Sequence, residues 1–210
     1  IKTVPLRYKA FYHLALYSGM RSGEILALTF GDIDFDKHVV DVKKSLSYTI
    51  HTLIIKATKT RTSARKVVVP PHVITLIKQL QREQKLNQLR LGNRWSNPDG
   101  YIFTTEFGGH MAPSTPYQMF RKIIRWHNEK VASTAHITED DKKRLLLPEI
   151  TLHGLRHTSA TLLISQSMDI RTVSARLGHA QTSTTMNIYA HALKSLDEKA
   201  SDVLSNILHG

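Results

Sequence analysis

Apolar positions recur along this chain with two periods, and each change of period marks a new element. Leu6, Ala10, Leu14 and Tyr17 fall three to four apart, which predicts a helix over 7–18 that Gly19 stops. Met20 and Arg21 follow in a turn. Ser22 is placed to cap a second short helix through Leu28, with Glu24 in its first turn. The period then drops to two. Residues 32–35 and 39–47 alternate around a turn at Asp36 and Lys37, 53–57 is apolar and β-branched, and 66–69 ends at Pro70 and Pro71. Thr58 to Arg65, between the last two runs, reads as a hairpin tip rich in cations and hydroxyls.

The helical period returns after the prolines. Residues 72–91 read as a long helix with Val73, Ile74, Ile77, Leu80 and Leu91 on its apolar side. Ile102 and Phe103 suit a short buried strand. Pro116 opens a helix through Asn128, with Phe120, Ile123, Ile124 and His127 spaced for packing and Arg121, Lys122 and Arg125 opposite. Residues 132–148 are polar and mixed in charge, as expected of an exposed, partly helical excursion. Thr151 is placed to cap a helix to Gln166, buried through Leu155, Leu162 and Leu163. Asp169 caps the next helix and Gly178 stops it. Thr182 or Ser183 caps a third, which carries Met186 and Tyr189. A last helix over 196–208 has Leu196, Val203, Leu204, Ile207 and Leu208 on one side.

Charge narrows the class of partner. Lys and Arg total 29 against 17 acids, a formal charge of +12. From Val42 to Arg82 there are nine Lys and Arg and no acid, and from Ile150 to Leu196 the only acid is Asp169. Such segregation predicts one strongly positive face, with nucleic acid as the leading partner and an anionic membrane surface as the rival. No run approaches the length of a spanning helix and no signal peptide is visible. The absence of Cys excludes disulfides and thiolate metal sites and favours an intracellular address. A length of 210 residues fits one large domain or two small ones. The start at Ile1 without Met is expected of a fragment or a processed form.

The richest chemistry lies between Thr151 and His191. His153 and Arg156 stand three apart, so on a helix both reach one target. His179 follows directly behind Gly178, and Tyr189 comes ten positions later. Each residue alone has an ordinary structural reading: an Arg in an ion pair (Arg21 with Glu24, for instance), a His in the core, a Tyr in packing. Together their duties are complementary. Arg21 and Arg156 can clamp the two non-bridging oxygens of a phosphate with planar guanidinium groups, and His179 can add a hydrogen bond. Tyr189 can attack phosphorus, provided that cations or a base such as His153 help it lose its proton. Spacing alone gives Lys59 a phosphate-binding role, and it can also supply the acid that a leaving alkoxide needs. His153 and His157 have metal-ligand spacing, but no Glu follows His153 and Arg156 between them repels a cation. Neither a metal nor another cofactor is expected.

Four stretches carry a resemblance: SGMRSGEILALTFGDIDF, TKTRTSARKVVVP, HGLRHTSATLL and LGHAQTSTTMNIYAH. In this order and spacing they resemble the tyrosine recombinases of the phage integrase family, in the style of integrases of Gram-positive phages and conjugative transposons. The resemblance covers nearly the whole chain. It implies an α+β fold, mostly helical, with a small antiparallel β-sheet. It implies Arg21, Lys59, His153, Arg156 and His179 as the activating set, Tyr189 as nucleophile and Glu24 as support. The implied activity is site-specific recombination of double-stranded DNA for integration or excision of a mobile element, through a 3′-phosphotyrosine. Lys43, Lys44, Arg61, Arg65, Arg121 and Lys122 are the expected DNA contacts. A tetramer on DNA joined by the helix over 196–208, an excision factor, and a bacterial cytoplasmic, nucleoid-associated address are expected with it. Family members carry a core-binding domain, and many an arm-binding domain, ahead of the catalytic one. Residues 1–210 therefore resemble an isolated catalytic domain. The competing readings are DNA relaxation in the manner of a type IB topoisomerase and a non-catalytic DNA-binding module.

Overall fold

Local chemistry ends the first helix where the pattern places its stop. In the computed structural model, which describes residues 4–49, 52–57, 64–179, 181–188 and 207, helix α1 spans Leu6–Ser18. Gly19 takes the left-handed conformation (φ 65°) and closes on the Ala15 carbonyl, a backbone state that costs glycine little. The buried face of α1 is Tyr8, Ala10, Phe11, Leu14 and Ala15. Tyr17, expected inside, stays out and packs its ring on His13 and His72. Helix α2 is Ser22–Leu26, shorter than its pattern. Its N-cap is Arg21 and not Ser22, because the Glu24 carboxylate accepts the Arg21 backbone N–H at 2.8 Å.

The strands are β1 (Ile33–Asp34), β2 (Val39–Val42), β3 (Lys44–Thr49), β4 (Thr52–Ala57) and β5 (Arg65–Val68). They form two small antiparallel sheets, one in the order β1-β2-β5 and one of β3 with β4. The single alternating run over 39–47 is thus broken at Lys43, where the chain changes partner. The hairpin expected between 53–57 and 66–69 is not the pairing found. Among the described residues β4 pairs with β3, and β5 returns to β2 with Val40 opposite Val67. The alternation still selects the buried face, since Val40, Val42 and Val67 are sealed inside.

Helix α3, Pro71–Leu91, lays Val73, Ile74, Ile77 and Leu80 on the same core and adds a buried Gln84. The Gln84 amide donates to the Tyr101 and Ile102 carbonyls, which satisfies the backbone of the buried Ile102–Phe103 stretch. Phe103 meets Phe11 edge-on, with centroids 5.3 Å apart. Helix α4, Ser114–Ser133, runs past its expected end and buries Pro116, Phe120, Ile124 and Val131. His127 does not pack inward. It is exposed and its Nε2–H donates to the Leu145 carbonyl. Helix α5, Glu139–Leu145, is the helical part of the exposed excursion and is capped by Thr138.

Helix α6, Gly154–Ser165, starts after a Thr151–His153 turn in which Thr151 accepts the Gly154 N–H. Its buried side is Arg156, Ser159, Ala160 and Ile164. Leu162, expected to bury the helix, points outward, and Leu163 is only half-buried. The side turned inward is the one that meets the C-terminal end of α1, where a Cβ on Gly19 would stand 3.5 Å from the Ser159 hydroxyl and Arg156 reaches the Gly19 carbonyl. Helix α7, Ile170–Leu177, is capped by Asp169 through the Thr172 N–H and stopped by Gly178 (φ 69°), as its sequence requires. Helix α8 is Thr182–Ile188. The helix expected over 196–208 lies outside the described residues, Ile207 excepted. Among the described residues no helix is long and apolar enough to cross a membrane.

Candidate active site

Arg156 is placed by the backbone around it. It is only 3% exposed, and its Nη1 donates to the Gly19 carbonyl at 2.6 Å and the Leu177 carbonyl at 2.8 Å. Both carbonyls lie at helix ends, the C-termini of α1 and α7, where intrahelical partners run out. A cation there also meets the negative ends of two helix dipoles. These acceptors fix the guanidinium without neutralising it.

Arg21 stands at the opposite side of the same turn. Its guanidinium keeps 42% of its side-chain surface in solvent while Nη1 holds Glu24 Oε1 at 3.1 Å. The ion pair expected as an ordinary reading and the exposed cation expected for phosphate binding therefore coexist. Glu24 itself is buried and takes four hydrogen bonds: the Arg21 backbone and Nη1, and Arg65 Nη1 and Nη2 at 3.2 and 2.9 Å. Burial pushes its carboxyl up, but the hydrogen bonds and charge of Arg65, with Arg21 behind them, outweigh burial and hold the group below the ordinary carboxylate range.

Arg65 corrects one expectation. It was placed among the cations facing DNA, yet its side chain is only 7% exposed and is turned into Glu24. A buried carboxylate needs a partner, and that demand draws Arg65 inward from the edge of β5. The sequence signal was present in Glu24 itself, an acid between apolar Ile25–Leu28 and the α1 stop, but nothing local names its partner. Arg176 was likewise missed. Its Nη2 donates to the Tyr17 and Val68 carbonyls, tying α7 to the ends of α1 and β5.

The two histidines close the group. His179 follows the left-handed Gly178, and its Nδ1 lies 2.8 Å from the Thr185 hydroxyl on α8. Burial, then the charges of Arg156, Arg21 and Arg65, with His153 last, pull its pKa down to about 4. His153 sits at the N-cap of α6 with its ring edge-on to His157 at 4.7 Å. Burial, then His157, Arg156 and Arg21, lower it as well. Both imidazoles are thus neutral at neutral pH beside fixed cations. The structure brings Arg21, Glu24, His153, Arg156 and His179 together. Lys59, Arg61 and Tyr189 lie outside the described residues.

The remaining expected DNA contacts are at the surface. Lys44 is exposed, and Lys43 is exposed but paired with Asp41 at 2.7 Å. Arg121 and Lys122 lie over the Tyr117 and Trp126 rings on α4. They line a cleft of about 740 Å³ that also takes in Glu149, Ile150 and Thr151, just ahead of His153.

Comparison with known proteins bears on the family and the fold. A sequence model of the phage integrase family matches residues 1–195. The chain is 30% identical over 212 residues to a XerC-like tyrosine recombinase of Caldanaerobacter subterraneus, covering 96% of this chain and 50% of that protein. It is 31% identical over 203 residues to the ICEBs1 integrase of Bacillus subtilis, covering 97% of this chain and 50% of the integrase. The chain spans about half the length of these curated relatives. Its fold is similar to that of the Tn1549 transposon integrase solved with transposon right-end DNA, with a TM-score of 0.72 at 22% identity over 95% of this chain and 61% of that one.

Proposed function

The chain belongs to the phage integrase family, and from that premise we propose that it is a site-specific tyrosine recombinase that cuts and rejoins double-stranded DNA to integrate or excise a mobile element. Residues 1–210 act as its catalytic domain. The observation that supports the reading is that two guanidinium groups and two imidazoles of lowered pKa meet where the ends of α1, α6 and α7 converge, under the fields of the same cations.

The chemistry follows from these groups. Arg156, held by two carbonyls, and Arg21, half in solvent, bind the non-bridging oxygens of the scissile phosphate. With Nδ1 accepting from the Thr185 hydroxyl, His179 carries its proton on Nε2 and donates it in a hydrogen bond to the same phosphate. Tyr189 attacks phosphorus and its phenolic proton passes to neutral His153. The bond to the 5′ oxygen breaks, and Lys59 gives that oxygen its proton. The products are a 3′-phosphotyrosine and a 5′-hydroxyl. The hydroxyl of a partner strand reverses the step and releases Tyr189, so the energy of the diester is conserved and no nucleotide is consumed. Four copies on DNA, joined through the segment 196–208, exchange both strands at the bacterial nucleoid, with an excision factor setting direction.

The test starts from nicked duplexes of randomised sequence, with DNA–protein adducts that survive denaturing electrophoresis as the readout. The chain is expected to enrich one core sequence. On that sequence Tyr189→Phe forms no adduct while DNA binding is kept. Arg156→Lys keeps the charge but loses the planar fork, and adduct formation falls by roughly 100-fold. An adduct undiminished in Tyr189→Phe would refute the nucleophile. Relaxation of arbitrary plasmids without strand exchange would favour the topoisomerase-like reading.

A further inference from the structure

Arg65 is the residue through which the two halves of this site touch. Its Nη1 and Nη2 take both oxygens of Glu24, the carboxylate that also holds the backbone and side chain of Arg21. Its Nε donates at 2.7 Å to the Arg176 carbonyl, in the last turn of α7 and three residues ahead of His179. Its guanidinium also lies against Gly178: a Cβ on that glycine would stand 2.7 Å from Nη1 and 3.0 Å from Cζ. One planar group thus makes a two-oxygen contact on one edge, a single donation from Nε and a flat contact with the backbone that precedes His179. Lysine has no such plane, and its three donors sit on one nitrogen, which cannot span both Glu24 oxygens and the Arg176 carbonyl at once.

We infer that Arg65 is a positioning residue that sets Arg21 and His179 at a fixed separation, holding Glu24 with one edge and the Arg176 carbonyl with Nε. The inference rests on the recombinase reading for its consequence in catalysis and on geometry alone for its consequence in the free protein. Arg65 does not act as a DNA contact. It is turned away from solvent, and its donors are spent inside the protein.

Three consequences separate this role from simple support of the fold. In Arg65→Lys, which keeps a cation beside Glu24, the rate of adduct formation at saturating DNA falls by roughly 100-fold, while the DNA dissociation constant and its salt dependence stay within about twofold of the parent, since no phosphate contact is lost. In the free Arg65→Lys protein, the His179 imidazole, followed by NMR as pH is varied, titrates about one pH unit higher, because the loosened loop admits water. Arg65→Gln serves as a second variant, and its loss of cleavage is expected to be no smaller than that of Arg65→Lys.

Cleavage by Arg65→Lys at the parent rate, or an unmoved His179 titration, would overturn the inference. Weakened DNA binding with a shallower salt dependence would also overturn it, returning Arg65 to the phosphate contacts. If the parent chain forms no adduct with any duplex, the recombinase reading fails, yet the NMR titration still decides the positioning role.

Discussion

The two apolar clusters of this fold are closed in different ways. The larger joins α1, α2, both sheets, α3 and part of α4 through Phe11, Leu14, Ile25, Val40, Ile77 and Phe103, all fully buried, with the Gln84 amide serving two backbone carbonyls beside Phe103. The smaller, between α6 and α7, has Ala160, Ile164, Val173 and Leu177 at its centre among the described residues. Between the clusters runs a seam of guanidinium groups. Arg156 holds the carbonyls of Gly19 and Leu177, Arg176 those of Tyr17 and Val68, and Arg65 that of Arg176. Carbonyls position a cation without cancelling it. Glu24 is a carboxylate among those contacts, and the charges of Arg156 and Arg21 still act on His153 and His179. The apolar core supplies rigidity, and the seam keeps the field that a phosphate would meet.

Breaking the larger cluster should cost most. Phe11→Ala removes a fully buried ring against Phe103 and is expected to destabilise the fold by about 4 kcal/mol, read as a lower urea midpoint with little change in slope. Breaking the seam should cost slightly less. Glu24→Ala leaves the Arg65 guanidinium buried without its carboxylate, an expected loss of about 3 kcal/mol by the same measurement. A loss below about 1 kcal/mol would mean that the carbonyl contacts hold the seam without Glu24.

Mild acid sharpens the comparison with the smallest effect. The folded protein holds His179 at about 4 against an ordinary 6.5, so the unfolded chain binds its proton first. The stability that a neutral His179 provides is fully present above about pH 6.5 and is lost as pH falls toward 4. His153 is shifted in the same direction. For a half-exposed ring the loss is about 1 kcal/mol after allowance for solvent screening. Urea midpoints measured between pH 7 and 4.5 should fall accordingly, and His179→Asn should flatten the decline. Phe11→Ala should shift the whole curve without changing its slope, because it touches the other cluster.

Much of this was legible in the residues. Gly19 and Gly178 stop their helices and Asp169 caps α7, because the chemistry of a helix end lies within a few residues of it. Arg21, His153, Arg156 and His179 were singled out from chemistry and spacing, and the fold brings them together. Other features could not be read. Leu162 looks buried by period, but the side of α6 that carries Arg156, Ser159, Ala160 and Ile164 is the one turned toward α1 and α7. The run over 39–47 gave no sign that it divides between two sheets, since alternation selects a face and says nothing of the neighbour.

What the sequence determined by itself was therefore local or chemical: where helices begin and end, which strand faces turn inward, a cationic excess, and a set of side chains suited to a phosphate. What only the tertiary structure decided was who meets whom. Arg65 reads as one more surface cation until Glu24, 41 positions earlier, is buried within its reach. Arg156 becomes a fixed charge only when the ends of α1 and α7 arrive with carbonyls their own helices cannot satisfy. The physical reason is that a buried charge or carbonyl must find a partner wherever the fold offers one, and that partner is chosen by distance in space, which the order of residues does not record.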